Sequence, residues 1–205
     1  MANTKEKILL ISLNLFAKFG YEAVSMKDIA DKLGITKGAL YKHYKNKQDI
    51  FNSIVERMYE IDRVHSEKCE VPTEKYEVNA SSYKKVLLKN VKKFTLSLFE
   101  FWLEDNFASD FRKMLTIEQF RTDEMAKLYN SCILNGPVKY MEDIFCEMIK
   151  NGFIKKTNPK QLAIQFYAPF YLLMNMSNFK SDTVNLKQIL EKHIDDFIEK
   201  NSISL

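Results

Sequence analysis

Glycine, proline and cysteine are scarce in this 205-residue sequence, at 5, 4 and 3 residues respectively. So few turn-forming residues are atypical of a protein built from tight β-turns. Cys69, Cys132 and Cys146 are odd in number and form no CxxC pair, which argues against a disulfide framework and a cysteine-based zinc site. This usage fits a reducing compartment, so we expect a cytoplasmic protein.

Long apolar runs and catalytic motifs are also missing. No apolar run of about 18 residues occurs, so we expect no membrane span. The sequence has no glycine-rich phosphate loop and no G-x-S-x-G elbow, so we expect neither an enzyme nor a cofactor. His65, Glu67 and Cys69 could supply metal ligands, but their two-residue spacing does not align on a helix face, and we expect no metal site.

Positive charge is concentrated in the first quarter of the sequence. Residues 1–50 contain nine lysines and five acidic residues, which account for the whole net charge of +4. A localised basic patch is typical of a phosphate-binding surface, and a solvated lysine-rich face is the alternative.

Residues 1–50 also show the pattern of three short helices. The predicted inner face of the first helix repeats at helical spacing and contains Ile8, Ile11, Ser12, Leu15, Phe16 and Phe19. Ser25 predicts the start of a second helix and Gly34 its end, while Thr36 opens a third helix that Leu40 anchors. Two helices joined by a short glycine-containing turn predict a helix-turn-helix, whose second helix enters the major groove of DNA.

Two further features of this segment indicate contact with a polyanion. Gly38 would let the backbone approach DNA closely, although glycine weakens a helix. Asn46 is predicted to cap the next helix, where Lys47 and the free amides of the first turn would form a phosphate site.

Residues 16–51, FAKFGYEAVSMKDIADKLGITKGALYKHYKNKQDIF, resemble the DNA-binding domain of the TetR family of bacterial transcriptional regulators. The resemblance is nearly unbroken over about 45 residues. It implies that a defined set of residues faces DNA: Ser25, Thr36, Lys37, Gly38, Tyr41, Lys42, His43 and Lys47. It assigns Thr36, Lys37 and Lys42 to bases or the groove, and Ser25, Tyr41, His43 and Lys47 mainly to phosphates. Packing is the alternative for His43, and for Tyr44 packing on the first helix is the preferred interpretation.

The remaining sequence predicts further helices and no strands. We expect helices over 46–66, 83–103, 110–117, 159–178 and 186–200, a loop over 69–82, and one stretch over 123–151 interrupted at Gly136-Pro137. The predicted fold is therefore all-α. An N-terminal helix-turn-helix domain, residues 1–50, precedes an all-helical ligand-binding and dimerisation domain, residues 51–205.

The resemblance further implies a homodimer that binds a palindromic operator and a pocket for an inducer. The predicted dimer interface contains Phe166, Phe170, Leu173, Met174, Ile189, His193, Ile194 and Phe197. The predicted pocket for a small apolar or aromatic inducer contains Phe94, Leu98, Phe101, Trp102, Phe107, Phe111, Met114, Met141 and Phe145. A ligand-released repressor is the preferred function. A helical adaptor or ligand-binding protein without DNA binding, and a cavity-based enzyme, are the alternatives.

Overall fold

The computed structural model describes residues 4–179 and 182–203, and helices account for nearly all of their regular structure. The helices are α1 (Thr4–Phe19), α2 (Met26–Leu33), α3 (Lys37–Tyr41), α4 (Lys47–Lys68), α5 (Ala80–Tyr83), α6 (Leu88–Glu104), α7 (Asn106–Glu118), α8 (Asp123–Ile133), α9 (Asn135–Lys150), α10 (Pro159–Met176) and α11 (Thr183–Asn201). A single 3-10 turn, Ser177–Phe179, follows α10, and one isolated bridge joins Ile154 to Ser202. The all-α prediction is confirmed.

Side-chain caps fix most of the predicted helix starts. Ser25, Thr36 and Asn158 are the N-caps of α2, α3 and α10, and each side chain accepts a hydrogen bond from a first-turn amide. Gly34 ends α2 in the left-handed conformation, with φ of 66°, which a residue without a Cβ adopts at little cost.

Several predicted boundaries differ from the structure, and the helices predicted from residues 110 and 186 begin earlier, at Asn106 and Thr183. The helix predicted from residue 83 begins only at Leu88, because α5 ends at Tyr83 and an irregular turn follows. The long stretch breaks at Leu134, and Pro137 lies inside the first turn of α9. A proline is tolerated there because first-turn amides have no partner within the helix.

The described helices divide into two compact units that interleave along the chain. Unit 1 contains residues 1–61 and 105–129, and unit 2 contains residues 62–104 and 130–205. Among the described helices, none has an apolar stretch long enough to cross a membrane.

Unit 1 is organised around α1, which packs against both α2 and α7. Ile8 and Phe16 are fully buried, as the periodicity predicts, but Phe19 is 62% exposed, which corrects that end of the predicted face. Leu9 and Leu13 lie outside the predicted face and are buried as well. The buried surface of α1 is therefore wider than the stripe that a single partner helix covers.

Unit 2 has an aromatic core supplied by α6, α9, α10 and α11. The rings of Phe145 and Phe166 lie 5.4 Å apart, and that of Phe197 lies 5.0 Å from Phe166. Phe99 of α6 meets Phe170 of α10 with centroids 5.2 Å apart. These edge-on contacts join the four helices into one core.

Gly136, in the first turn of α9, provides a test of how closely this turn packs against the backbone of Ser131. A Cβ built on Gly136 would lie 1.8 Å from the carbonyl oxygen of Ser131, whereas one on Gly38 would meet nothing closer than 4.0 Å. We expect Gly136→Ala to lower the free energy of unfolding by about 2 kcal/mol or more, because backbone must move. Gly38→Ala, the matched control, should leave it unchanged or raise it by up to about 1 kcal/mol. Urea denaturation measures both, and equal stability of the two variants would contradict the steric argument.

Candidate functional site

The start of α2 is fixed by a reciprocal pair of hydrogen bonds. The Ser25 hydroxyl accepts from the Asp28 amide at 3.2 Å, and the Ser25 amide donates to Asp28 Oδ2 at 2.8 Å. The Ser25 hydroxyl also donates to this carboxylate, and together these bonds lower the pKa of Asp28. Asp28 therefore remains ionised at the positive end of α2, where a negative charge is favourable.

Helix α3 is short and presents most of its side chains to solvent. Thr36 Oγ1 accepts from the Ala39 amide at 3.1 Å and so fixes the helix start. Leu40 is fully buried and anchors the helix, as predicted. The exposed residues of this helix and its caps, hereafter the α3 surface, are Thr36, Lys37, Gly38, Tyr41 and Lys42.

The two residues that follow the α3 surface are less accessible. Tyr44 is 2% exposed and its hydroxyl donates to the Lys5 carbonyl on α1 at 3.4 Å, so the predicted packing on the first helix is confirmed. His43 is half-buried.

Lys47 is held by the turn that precedes α2. Its ammonium group donates to the carbonyl oxygens of Tyr21 at 2.7 Å and Glu22 at 3.3 Å. The same group lies 4.2 Å from the centroid of the Tyr21 ring. Since an ammonium group has three donors, these bonds leave at most one for a phosphate.

A buried carboxylate holds the same turn from the other side. Glu118, at the end of α7, is 1% exposed and accepts from the Tyr21 amide at 2.9 Å. Arg121 Nε lies 3.4 Å from the Glu118 carboxylate and balances its charge. The turn that leads into the helix-turn-helix is therefore fixed by both Lys47 and Glu118, and α7 has a positioning role that the sequence did not predict.

Comparison with known proteins identifies the N-terminal helices. A family model described as bacterial regulatory proteins of the tetR family matches residues 8–54, which span α1 to the start of α4. The HTH-type transcriptional regulator YerO of Bacillus subtilis is 43% identical over 56 residues, which are 27% of this chain and 19% of YerO. The regulator AcrR of Shigella flexneri is 42% identical over 53 residues, 26% of this chain and 25% of AcrR. Residues 8–54 of this chain are thus similar to the N-terminal segment of bacterial regulatory proteins of the tetR family.

Similarity to a solved structure extends over both units. SmeT of Stenotrophomonas maltophilia, solved in complex with triclosan, superposes with a TM-score of 0.71 at 18% identity, covering 98% of this chain and 92% of SmeT. At this identity the likeness concerns the fold alone. The chain thus shares the fold of SmeT over nearly its whole length. The chain spans a quarter or less of the length of the two curated relatives, YerO and AcrR.

The structure brings together the predicted DNA-binding residues. They differ in whether their side chains already form hydrogen bonds within the protein. The five residues of the α3 surface are exposed. Ser25 is exposed but bonded to Asp28, and Lys47 is bonded to the turn. Their contacts with DNA remain predictions. Lys27 and Lys45 are also exposed and lie outside the predicted set.

The predicted pocket residues are divided between the two units. Phe94, Leu98, Phe101 and Trp102 lie on α6 and Met141 and Phe145 on α9, all in unit 2. The other three, Phe107, Phe111 and Met114 of α7, are buried in unit 1. Leu98 and Phe101 are half-buried, whereas the other seven are buried.

The predicted dimer-interface residues are mostly core residues of the protomer. Those with almost no accessible surface are Phe166, Phe170, Leu173, Met174, Ile194 and Phe197. Apolar residues at helical spacing also mark the face that packs inside unit 2, so for these six residues contact with a second copy stays a prediction. Ile189 is 46% exposed and His193 is half-buried, so these two can reach a partner.

A metal centre finds no support among the described residues. No group of three or more His, Cys, Asp and Glu side chains within residues 4–179 and 182–203 is arranged to hold an ion.

The contacts of Lys47 predict a structural effect that a free lysine would not have. Lys47→Met retains most of the side chain but removes the hydrogen bonds to the Tyr21 and Glu22 carbonyls. We expect the free energy of unfolding to fall by about 1–2 kcal/mol, because Lys47 is mostly buried and its partners lose a charged donor. Lys42→Met, at an exposed lysine, should change it by less than about 0.5 kcal/mol. Chemical denaturation measures the free energy of unfolding of both variants. A Lys47→Met protein that is no less stable than Lys42→Met would contradict the structural role of Lys47.

Proposed function

We propose that this chain is a DNA-binding transcriptional regulator of the TetR family that binds a palindromic operator as a homodimer and is released by a small molecule. The observation that carries the proposal is the α3 surface. Its exposed residues follow a tightly fixed turn and a capped α2, as a recognition helix requires.

The charge around α3 supports this function. The segment 35–48 contains four lysines and no acidic residue. Lys37 and Lys42 are exposed within the α3 surface, and Lys45 follows it. Such a patch attracts the phosphate backbone, while side chains of α3 would read base edges.

Gly38 adds an independent argument. Its surroundings are open, so the fold does not demand glycine at this position. Glycine in a helix nevertheless costs about 1 kcal/mol relative to alanine. Close approach of the α3 backbone to DNA explains a residue that the protein's own packing does not require.

DNA binding can be tested by fluorescence polarisation with a duplex from upstream of the protein's own coding region. We expect affinity to fall steeply between about 50 and 200 mM salt, because bound phosphates release counterions. Lys37→Met and Lys42→Met should each reduce the salt slope by about 1. Gly38→Ala should weaken binding with the slope unchanged, because it blocks approach and removes no charge.

Lys160→Met, at an exposed lysine on α10, is the matched control for loss of charge. It should leave affinity and slope as in the wild type. Failure of the folded protein to bind any duplex would contradict the proposal and favour the adaptor function. Equal slope changes for Lys160→Met and Lys37→Met would contradict the role of α3.

An exposed apolar stripe on α10 supports dimerisation in unit 2. Ile164, Ala168, Leu172 and Met176 recur every four residues and are exposed, Leu172 to 59%. Ile189 of α11 is also exposed. Large exposed aliphatic side chains in a row are typical of a helix face that packs against another protein. We infer that two copies pair through this stripe.

Leu172→Glu tests this interface, because a charge in the centre of an apolar contact must be desolvated without a partner. We expect sedimentation velocity to show a wild type of twice the 24.1 kDa chain mass and a monomeric variant. Val78→Glu, at a 71% exposed valine outside the stripe, should remain dimeric. A dimeric Leu172→Glu protein would place the interface elsewhere.

A further inference from the structure

The turn between α1 and α2 is held through one residue, Tyr21, which is 7% exposed. Its ring lies 5.2 Å from the ring of Phe16 on α1 and 5.2 Å from that of Phe51 on α4. Its hydroxyl donates to Gln48 Oε1 of α4 at 2.9 Å, and its carbonyl accepts from Lys47. The side chain and the carbonyl of Tyr21 are therefore fixed by helices of the N-terminal segment itself.

The amide of Tyr21 is bonded to a helix that is distant in sequence. It donates to Glu118 Oε1 at 2.9 Å, and Glu118, the last residue of α7, is 1% exposed. Arg121 Nε lies 3.4 Å from the same carboxylate and balances its charge. A hydrogen bond to an ionised acceptor is roughly twice as strong as a neutral one. Glu118 is thus the anchor of the turn on α7.

Gly20 allows the carboxylate to reach the backbone of the turn. A Cβ built on Gly20 would lie 3.0 Å from Glu118 Oε1 and 3.2 Å from a terminal nitrogen of Arg121. A side chain at this position would press on the carboxylate and move it from the Tyr21 amide. The close contact therefore depends on matched residues at both ends, Gly20 on the turn and Glu118 on α7.

The direction of α3 follows from the position of this turn. Helix α2 begins at Met26, five residues after Tyr21, and packs against α3. Side chains that read base edges need hydrogen-bond geometry, whereas attraction to phosphates tolerates small shifts of the helix. We propose that Glu118 is a positioning residue for operator recognition, which acts through the Tyr21 amide on the direction of α2 and α3. This inference rests on the proposed DNA binding and adds a determinant of sequence discrimination on α7.

Fluorescence polarisation with two duplexes of equal length and composition measures this discrimination. One duplex comes from upstream of the protein's own coding region, and the other is its scrambled sequence. Glu118→Met keeps the size of the side chain and removes the acceptor of the Tyr21 amide. We expect it to bind the upstream duplex about tenfold or more weakly, because base contacts are lost, and to change the affinity for the scrambled duplex by less than about twofold.

Two further variants at the same position separate the hydrogen bond from the charge. Glu118→Gln removes the charge but keeps an oxygen that can accept from the Tyr21 amide, so discrimination should stay within about threefold of the wild type. Glu118→Asp keeps the charge and shortens its reach by one carbon atom, so it should lose discrimination in the same direction as Glu118→Met. The reverse order of these two variants would show that charge matters and overturn the inference.

Asp110→Ala is the matched control, because Asp110 joins α7 to Asn14 of α1 at 2.8 Å. It should lower stability and preserve discrimination. Equal loss of discrimination in Asp110→Ala and Glu118→Met would reduce the effect to general packing of α1 on α7. A wild type that does not distinguish the two duplexes would overturn the proposed function as well. A wild type that does, with unchanged discrimination in Glu118→Met, would overturn the positioning role alone.

Hydrogen–deuterium exchange gives a second readout that needs no DNA. We expect residues 20–34 to exchange about tenfold faster in Glu118→Met than in the wild type, because loss of the anchor favours local opening. Exchange in α9 and α10 should be unchanged, and Glu118→Gln should resemble the wild type. Equally faster exchange in all helices would indicate global destabilisation and contradict a role confined to the turn.

Discussion

The burial of α1 between neighbouring helices is the constraint on which unit 1 depends. Ile8 and Phe16 fill the interior of the helix-turn-helix, while Leu9 and Leu13 widen the buried surface as α7 packs alongside. Asn14 of α1 also donates to Asp110 of α7 at 2.8 Å. Three short N-terminal helices have too little apolar surface to be rigid alone, and α7 supplies the additional surface.

Polar contacts then fix the turn before α2 within that packed unit. The Tyr21 amide donates to the buried Glu118, and the Tyr21 carbonyl accepts from Lys47. The backbone of one residue is thus bonded to two helices that are distant in sequence. Because α2 begins only five residues later, its direction, and with it that of α3, follows from these bonds. The side chains of Glu118 and Lys47 hold the backbone of this turn in place, whereas those of the α3 surface remain available to contact DNA.

The aromatic core of unit 2 leaves one face of α10 exposed. Phe145, Phe166 and Phe197 pack together in its interior and hold α9, α10 and α11 in place. The opposite face of α10 keeps Leu172 exposed, which suits pairing with a second copy.

Local signals in the sequence determined the helical fold, the caps at Ser25, Thr36 and Asn158, the anchoring Leu40 and the family of the first 50 residues. Each depends on a few neighbouring residues, because caps and helical periodicity act within one or two turns. Phe170 and Leu172 of α10 are both apolar, so the sequence did not show which of them would be buried. Only the tertiary structure decided this, because neighbouring residues cover Phe170 and leave Leu172 exposed. It likewise decided the bonds of Lys47 and the role of Glu118. These depend on residues brought together from separate parts of the chain, and sequence spacing carries no record of such contacts.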